Sequence, residues 1–275
     1  AMTVVWWSLA RRAVCSLGLA VCLALPAVAQ TQPKVTALGD GSARSFLWVG
    51  NSFFYYNNSM HSQVLGLARA ADAANKDAYR YSSVTISGSG FDWHDVDSYF
   101  KNIGKYSFVG DNEIVFNKFK NPFDAAILND CSQCPIHPKL KATFHQYAKK
   151  HSDTVRKHGG QPVFFMTWAY KDKPEMTEQL AEEYTIAGNK NKVLVIPAGL
   201  AFAKAISKRP ELEFYQPDKR HPSALGTYLA ACTIYASIYG KSPAGLSYKA
   251  PGIDEAMATF LQNVAWETVQ EYYGK

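Results

Sequence analysis

Five short apolar runs alternate with stretches of helical periodicity, and that alternation narrows the fold more than any other feature of the chain. The runs occupy Phe46-Leu47-Trp48-Val49 and residues 79–86, 123–128, 162–168 and 192–196, and they are rich in β-branched and aromatic side chains. Residues 60–74, 140–158, 175–187, 200–207, 222–239 and 253–273 read as helices; residues 91–103 begin helical, and 104–121 read as irregular. Strands and helices in alternation imply an α/β fold with a central five-stranded parallel sheet and helices on both faces. The carboxyl ends of such strands share one edge, where open α/β sheets bind their ligands.

Composition sets the scale. The chain has 275 residues, 47% hydrophobic and 19% charged, enough for one large core. Its formal charge of +6 is spread along the chain, so no nucleic-acid footprint is expected. Residues 1–29 read as a secretory signal: Arg11-Arg12, an apolar run over 13–25, then Pro26-Ala27-Val28-Ala29 with small residues where a signal peptidase cuts. Cleavage is expected after Ala29. The apolar run is too short and too interrupted for a comfortable membrane span. Residues 30–44 read as a polar tail and 45–275 as a single domain. Export to the periplasm or beyond would leave Cys131, Cys134 and Cys232 in an oxidising compartment. A local Cys131-Cys134 disulfide and a buried Cys232 thiol are the expected states.

The chemistry gathers at the strand ends. The first run stops at Gly50-Asn51-Ser52, which lifts a serine hydroxyl to the binding edge. Serine is a weak nucleophile and needs a base, and Asp218-Lys219-Arg220-His221 supplies a histidine with a carboxylate three residues before it. Gly88 follows the second strand and Asn129 the third. With the Ser52 amide, the Gly88 amide and the Asn129 carboxamide complete an expected oxyanion hole. The remaining histidines are scattered without metal-ligand spacing and read mostly as surface residues, apart from His94, which follows the Gly88 turn. His94 and Trp168 are the expected substrate-contacting residues.

In this order along the chain, Gly50-Asn51-Ser52, Gly88, Asn129-Asp130 and Asp218-x-x-His221 resemble the motifs of the SGNH (GDSL-type) hydrolase superfamily. The runs Val49-Gly50-Asn51-Ser52-Phe53-Phe54-Tyr55-Tyr56-Asn57, Thr167-Trp168-Ala169-Tyr170-Lys171 and His221-Pro222-Ser223-Ala224-Leu225-Gly226 resemble a bacterial, often exported branch of it. The resemblance extends over residues 46–239. It implies a three-layer α/β/α sandwich and serine esterase chemistry with Ser52, His221 and Asp218 as triad, without metal or cofactor. Two positions depart from the pattern. Asn51 replaces the usual Asp, and Ile127 stands where the third block has Gly, which leaves Ser132 or Gln133 as alternative donors to Asn129; Gly90 is likewise the alternative to Gly88. The expected activity is ester hydrolysis on a small-molecule or carbohydrate ester, with acetyl removal from carbohydrate as one form. A lipase or thioesterase for longer acyl chains and a non-catalytic binding protein are the alternatives.

Overall fold

The computed structural model describes residues 30–102, 106–110, 113–116 and 121–275, so the expected signal segment and its cleavage point lie outside the described residues. Residues Thr31–Lys275 form one compact unit. In chain order it contains β1 (Ser45–Gly50), a single-turn α1 (Ser52–Tyr55), α2 (Met60–Ala71), β2 (Arg80–Thr85), α3 (Val96–Asn102), β3 (Tyr106–Gly110), β4 (Glu113–Phe116), β5 (Ala125–Leu128), α4 (Lys141–Lys157), β6 (Gln161–Phe165), α5 (Met176–Asn191), β7 (Leu194–Ile196), α6 (Ala198–Lys208), α7 (Ala224–Tyr239) and α8 (Glu255–Tyr273).

The main sheet has the order β2-β1-β5-β6-β7 and every pairing in it is parallel. From β1 the chain moves outward to β2 and then returns to the other side of β1 with β5. Right-handed crossovers therefore put α2 on one face and α4 and α5 on the other. The direction of winding reverses between β1 and β5, which opens a crevice at their carboxyl ends. The expected three-layer α/β/α sandwich is the one observed. β1 and β5 are buried along their whole length, as strands covered on both faces must be, and their sequences accordingly lack polar alternation.

Helix α7 is buried from Gly226 through Ile238 and packs against α2, α6 and α8. A helix apolar on every side has no face to give to water, and this one forms the interior of its layer. Ser223 caps it by accepting a hydrogen bond from the Gly226 amide, so the helix begins at Ala224 rather than at Pro222.

The stretch expected to be irregular contains an antiparallel hairpin, β3 with β4. In sequence, Tyr106-Ser107-Phe108-Val109 and Ile114-Val115-Phe116 flank Gly110-Asp111-Asn112, a strand-turn-strand signature. Residues 31–44 lack helix and strand but are tied down. Thr31 donates to Glu182 through both its amide and its hydroxyl, and the Lys34 amide donates to Asn189. Among the described residues no helix is long and apolar enough to cross a membrane.

Helix α6 starts directly against the exit of β6, and Gly199 allows the approach: a Cβ there would lie 2.2 Å from the Thr167 carbonyl oxygen. Gly199→Ala is expected to destabilise the domain by roughly 1–3 kcal/mol through overpacking against backbone that cannot yield. Thermal denaturation checks this, and an unchanged midpoint would show that the two segments can separate at no cost.

Candidate active site

Ser52 begins α1 immediately beyond β1. Asn51 is the helix cap: its Oδ1 accepts from the Phe53 amide at 3.1 Å, and its backbone oxygen accepts from the Phe54 amide at 3.0 Å. These two bonds occupy the second and third amides of the turn. The Ser52 amide, the first, has no partner among the described residues, as the first N–H of a helix ordinarily does not. The other end of the Asn51 carboxamide donates to the Ser89 carbonyl at 2.9 Å and to the Asp130 carbonyl at 3.1 Å. One side chain thus joins the exits of β1, β2 and β5.

His221 approaches from the far end of the chain. Its Nε2 lies 2.8 Å from Ser52 Oγ and its Nδ1 hydrogen-bonds Asp218 Oδ2. A carboxylate only accepts, so Nδ1 carries the proton and Nε2 is left to accept from the serine hydroxyl. The Asp218 Oδ1 accepts from the Arg220 and His221 amides at 3.0 Å each. Partial burial raises the Asp218 carboxyl, but the bond to the imidazole and these two amides outweigh it, so it sits below its ordinary value and stays ionised.

The loop carrying this pair is held from several sides. Lys219 adopts a left-handed backbone, its amide donates to Gln216 and its oxygen accepts from Lys171. Asn57 donates to the Pro222 carbonyl at 3.0 Å and to Thr227 Oγ1 at 2.8 Å, which ties the residues after α1 to the start of α7. The Tyr56 ring stacks on the imidazole with centroids 4.3 Å apart.

A cleft of about 190 Å³ lies over Ser52 and is lined by Gly88, Cys131, Ser132, Tyr170, Arg220 and His221 among others. Ser52 is 9% exposed, accessible at the bottom of it. Gly88 has a positive φ of 71° with open space beside its Cα, and its amide has no partner among the described residues. Gly90 packs instead against Asp92 and Asp130 and does not line the cleft. A larger cavity of about 860 Å³ also has Tyr170 in its wall, with Phe202, Ile206, Leu212 and Phe214; no histidine lines it, whereas Ser52 and His221 both line the small cleft.

Three expected roles fall elsewhere. Asn129 is 0% exposed, its carboxamide donates to Asn51 Oδ1 at 3.2 Å, and it does not line the cleft, whereas Ser132 does. Trp168, also 0% exposed, is sandwiched between Phe53 and Phe202 at 4.5 and 4.2 Å and donates from Nε1 to the Arg220 carbonyl at 2.9 Å. It supports the His221 loop from beneath rather than meeting a substrate. His94 is 3% exposed; burial, reinforced by nearby His151, lowers its pKa to about 4 and keeps it neutral. The Ser89 hydroxyl donates to the Gly50 carbonyl at 3.1 Å and accepts from His94 Nε2 at 2.9 Å, while Tyr99 lies 3.0 Å from Nδ1. His94 therefore braces the Gly88 turn from behind. His151, expected at the surface with most of the other histidines, is buried as well, with Nε2 donating to the Phe91 carbonyl at 2.7 Å. Cys131 and Cys134 are disulfide-bonded and Cys232 is a buried free thiol, as expected. Among the described residues no three His, Cys, Asp or Glu side chains gather as a metal site.

Two consequences are measurable. Asn51→Asp would turn a carboxylate oxygen toward the Ser89 and Asp130 carbonyls, and unfolding should show a loss of about 1–3 kcal/mol; full stability would mean that the carboxamide donors do not hold these exits together. Burial, outweighing the hydrogen bonds from the Phe91 and Cys131 amides, pushes the Asp130 carboxyl up to about 7. The folded state then keeps a proton that the unfolded chain has lost, so the stabilisation is complete below about pH 4 and lost as pH rises to about 7. Asp130→Asn should remove this slope, read from chemical denaturation between those pH values, and identical slopes in the two proteins would contradict it.

No family model and no curated protein matches the chain. Solved structures do. A DUF4886 family protein from Bacteroides uniformis aligns with a TM-score of 0.57 at 16% identity, covering 83% of this chain and 95% of its own. A candidate SGNH hydrolase from Slackia heliotrinireducens aligns with a TM-score of 0.55 at 18% identity over 71% of this chain and 98% of its own. An acetyl xylan esterase, AlAXEase, aligns with a TM-score of 0.50 at 12% identity over 70% and 99%. The chain shares its fold with these proteins, a candidate SGNH hydrolase among them.

Proposed function

We propose that the chain is an exported serine esterase that removes short acyl groups. The observation that carries this reading is the 2.8 Å approach of His221 Nε2 to Ser52 Oγ, with Asp218 on the opposite ring nitrogen. In the first half-reaction Ser52 Oγ attacks the ester carbonyl carbon while its proton passes to His221 Nε2. Asp218 stabilises the imidazolium and holds the ring orientation. The oxyanion that forms would be met by the unpartnered amides of Ser52 and Gly88. Collapse of the tetrahedral adduct expels the alcohol, which takes the proton from Nε2 and leaves an acyl-serine. Water, deprotonated by the same nitrogen, releases the carboxylic acid and restores the hydroxyl.

The size of the cleft favours a small acyl group. About 190 Å³ is below the range of cavities that enclose a whole drug-sized ligand. A long acyl chain, as a lipase or thioesterase would bind, has no enclosure there, while an acetyl group on a larger alcohol does; the acetyl xylan esterase among the structural neighbours fits the same reading. An intact Ser-His-Asp arrangement argues against a purely binding protein. Export is supported by the signal-like residues 1–29 and by the Cys131–Cys134 disulfide, which belongs to an oxidising compartment.

Ser52→Ala should abolish hydrolysis of p-nitrophenyl acetate, a loss of at least about 10³-fold, together with labelling by a fluorophosphonate. Labelling that survives the substitution would remove Ser52 as the nucleophile.

A further inference from the structure

We propose that Arg220 forms an anion subsite on the leaving-alcohol side of the cleft, so that the favoured substrate is an ester whose alcohol portion carries a carboxylate. This deepens the esterase reading and rests on it for the word substrate, though the subsite can be tested without turnover.

Arg220 lines the cleft, and no Asp or Glu does. Its guanidinium lies over the Tyr170 ring, 4.7 Å from the centroid, and has neither an ion pair nor a hydrogen-bond acceptor among the described residues. The neighbouring cations differ: Lys171 is paired with Glu213 and Lys219 with Asp172. Of these three cations, Arg220 is exposed, lines the cleft and has no ion pair among the described residues.

It is also held in place. The Arg220 amide is bonded to Asp218 Oδ1 and its carbonyl to the buried Trp168 indole. The Tyr170 ring beneath it is itself fixed, 6% exposed and with its hydroxyl 2.6 Å from Ser132 Oγ. A stacked guanidinium with its backbone anchored at both ends loses little freedom on binding, and its planar donors match a carboxylate in a paired, two-bond geometry. An arginine merely kept at the surface for solubility requires none of this support.

The side of the cleft follows from the proton path. His221 Nε2 must deliver its proton to the departing alcohol oxygen, so the alcohol leaves along the His221 wall. Arg220 precedes His221 in the chain and lines the same cleft, with its guanidinium over Tyr170, so the subsite is assigned to the remainder of an alcohol too large for about 190 Å³.

The test uses two acetyl esters of nearly the same shape, the anionic 4-acetoxybenzoate and the neutral 4-acetoxybenzamide, each rate divided by that of its uncatalysed hydrolysis, with p-nitrophenyl acetate as the reference. The wild-type protein should favour the carboxylate by about tenfold or more in kcat/KM, and Arg220→Gln should bring that ratio close to one. A ratio near one in the wild type, or one unmoved by Arg220→Gln, overturns the subsite while hydrolysis of p-nitrophenyl acetate keeps the esterase reading. A second readout is independent of catalysis. In Ser52→Ala the Arg220 Nε–H resonance should shift on addition of 4-acetoxybenzoate and stay in place with the benzamide. If no ester is hydrolysed, that shift still supports the anion subsite and the esterase reading alone fails; equal or absent shifts overturn the subsite.

Discussion

The carboxamide of Asn51 is the joint on which the site depends. Its oxygen caps the single turn that begins at Ser52, and its nitrogen holds the carbonyls of Ser89 and Asp130, residues that follow the two strands flanking β1. Parallel strands on either side of a topological switch point have no hydrogen bonds to one another beyond their ends, so something must bridge the crevice floor. Asn51 does so with both ends of one side chain. An aspartate would keep the cap but would have no donor for the two carbonyls, which gives the departure from the usual Gly-Asp-Ser a physical role in this chain.

Around that joint the machinery is built in layers. The outermost contains the groups that face the cleft: the Ser52 hydroxyl, the His221 ring and the free amides of Ser52 and Gly88. Behind them, Trp168 holds the Arg220 carbonyl, Asn57 holds the Pro222 carbonyl, and His94 with Ser89 holds the turn that presents Gly88. These supporting side chains are buried or half-buried, and each hydrogen-bonds backbone carbonyls or neighbouring side chains. Burial without such partners would be costly, so the hydrogen-bonding capacity that makes Trp168 and His94 look like ligand contacts in a sequence is already committed within the fold.

Much of the fold was legible because its signals are local. Apolar runs of strand length at Phe46, Ala125, Val163 and Leu194, each bounded by Gly, Asn or Pro, give the same answer by periodicity and by turn chemistry. The β3–β4 hairpin was missed although Gly110-Asp111-Asn112 stands between two β-rich runs, because those runs carry no burial signal that ties them to the main core. The pairing of Asp218 with His221 was legible for a different reason. Asp218 and His221 are three residues apart and both reach the imidazole's task through one loop, so spacing alone carried the relation. Arg220, lying between them, was overlooked because a charged loop residue looks the same in sequence whether or not an acid partner neutralises it.

The sequence by itself determined the order of strands and helices, the residue types at each strand exit, and the pairing of Asp218 with His221, since these follow from period, turn preference and short spacing along the chain. Only the tertiary structure decided that Ser52 and His221 meet, that Asn129 turns to Asn51 and away from the cleft, that Trp168 and His94 are props rather than walls, and that Arg220 lines the cleft without an ion pair among the described residues. These outcomes depend on distances between residues far apart in the chain and on how completely each side chain is enclosed. Neither quantity exists until the sheet has been wound and its crevice closed.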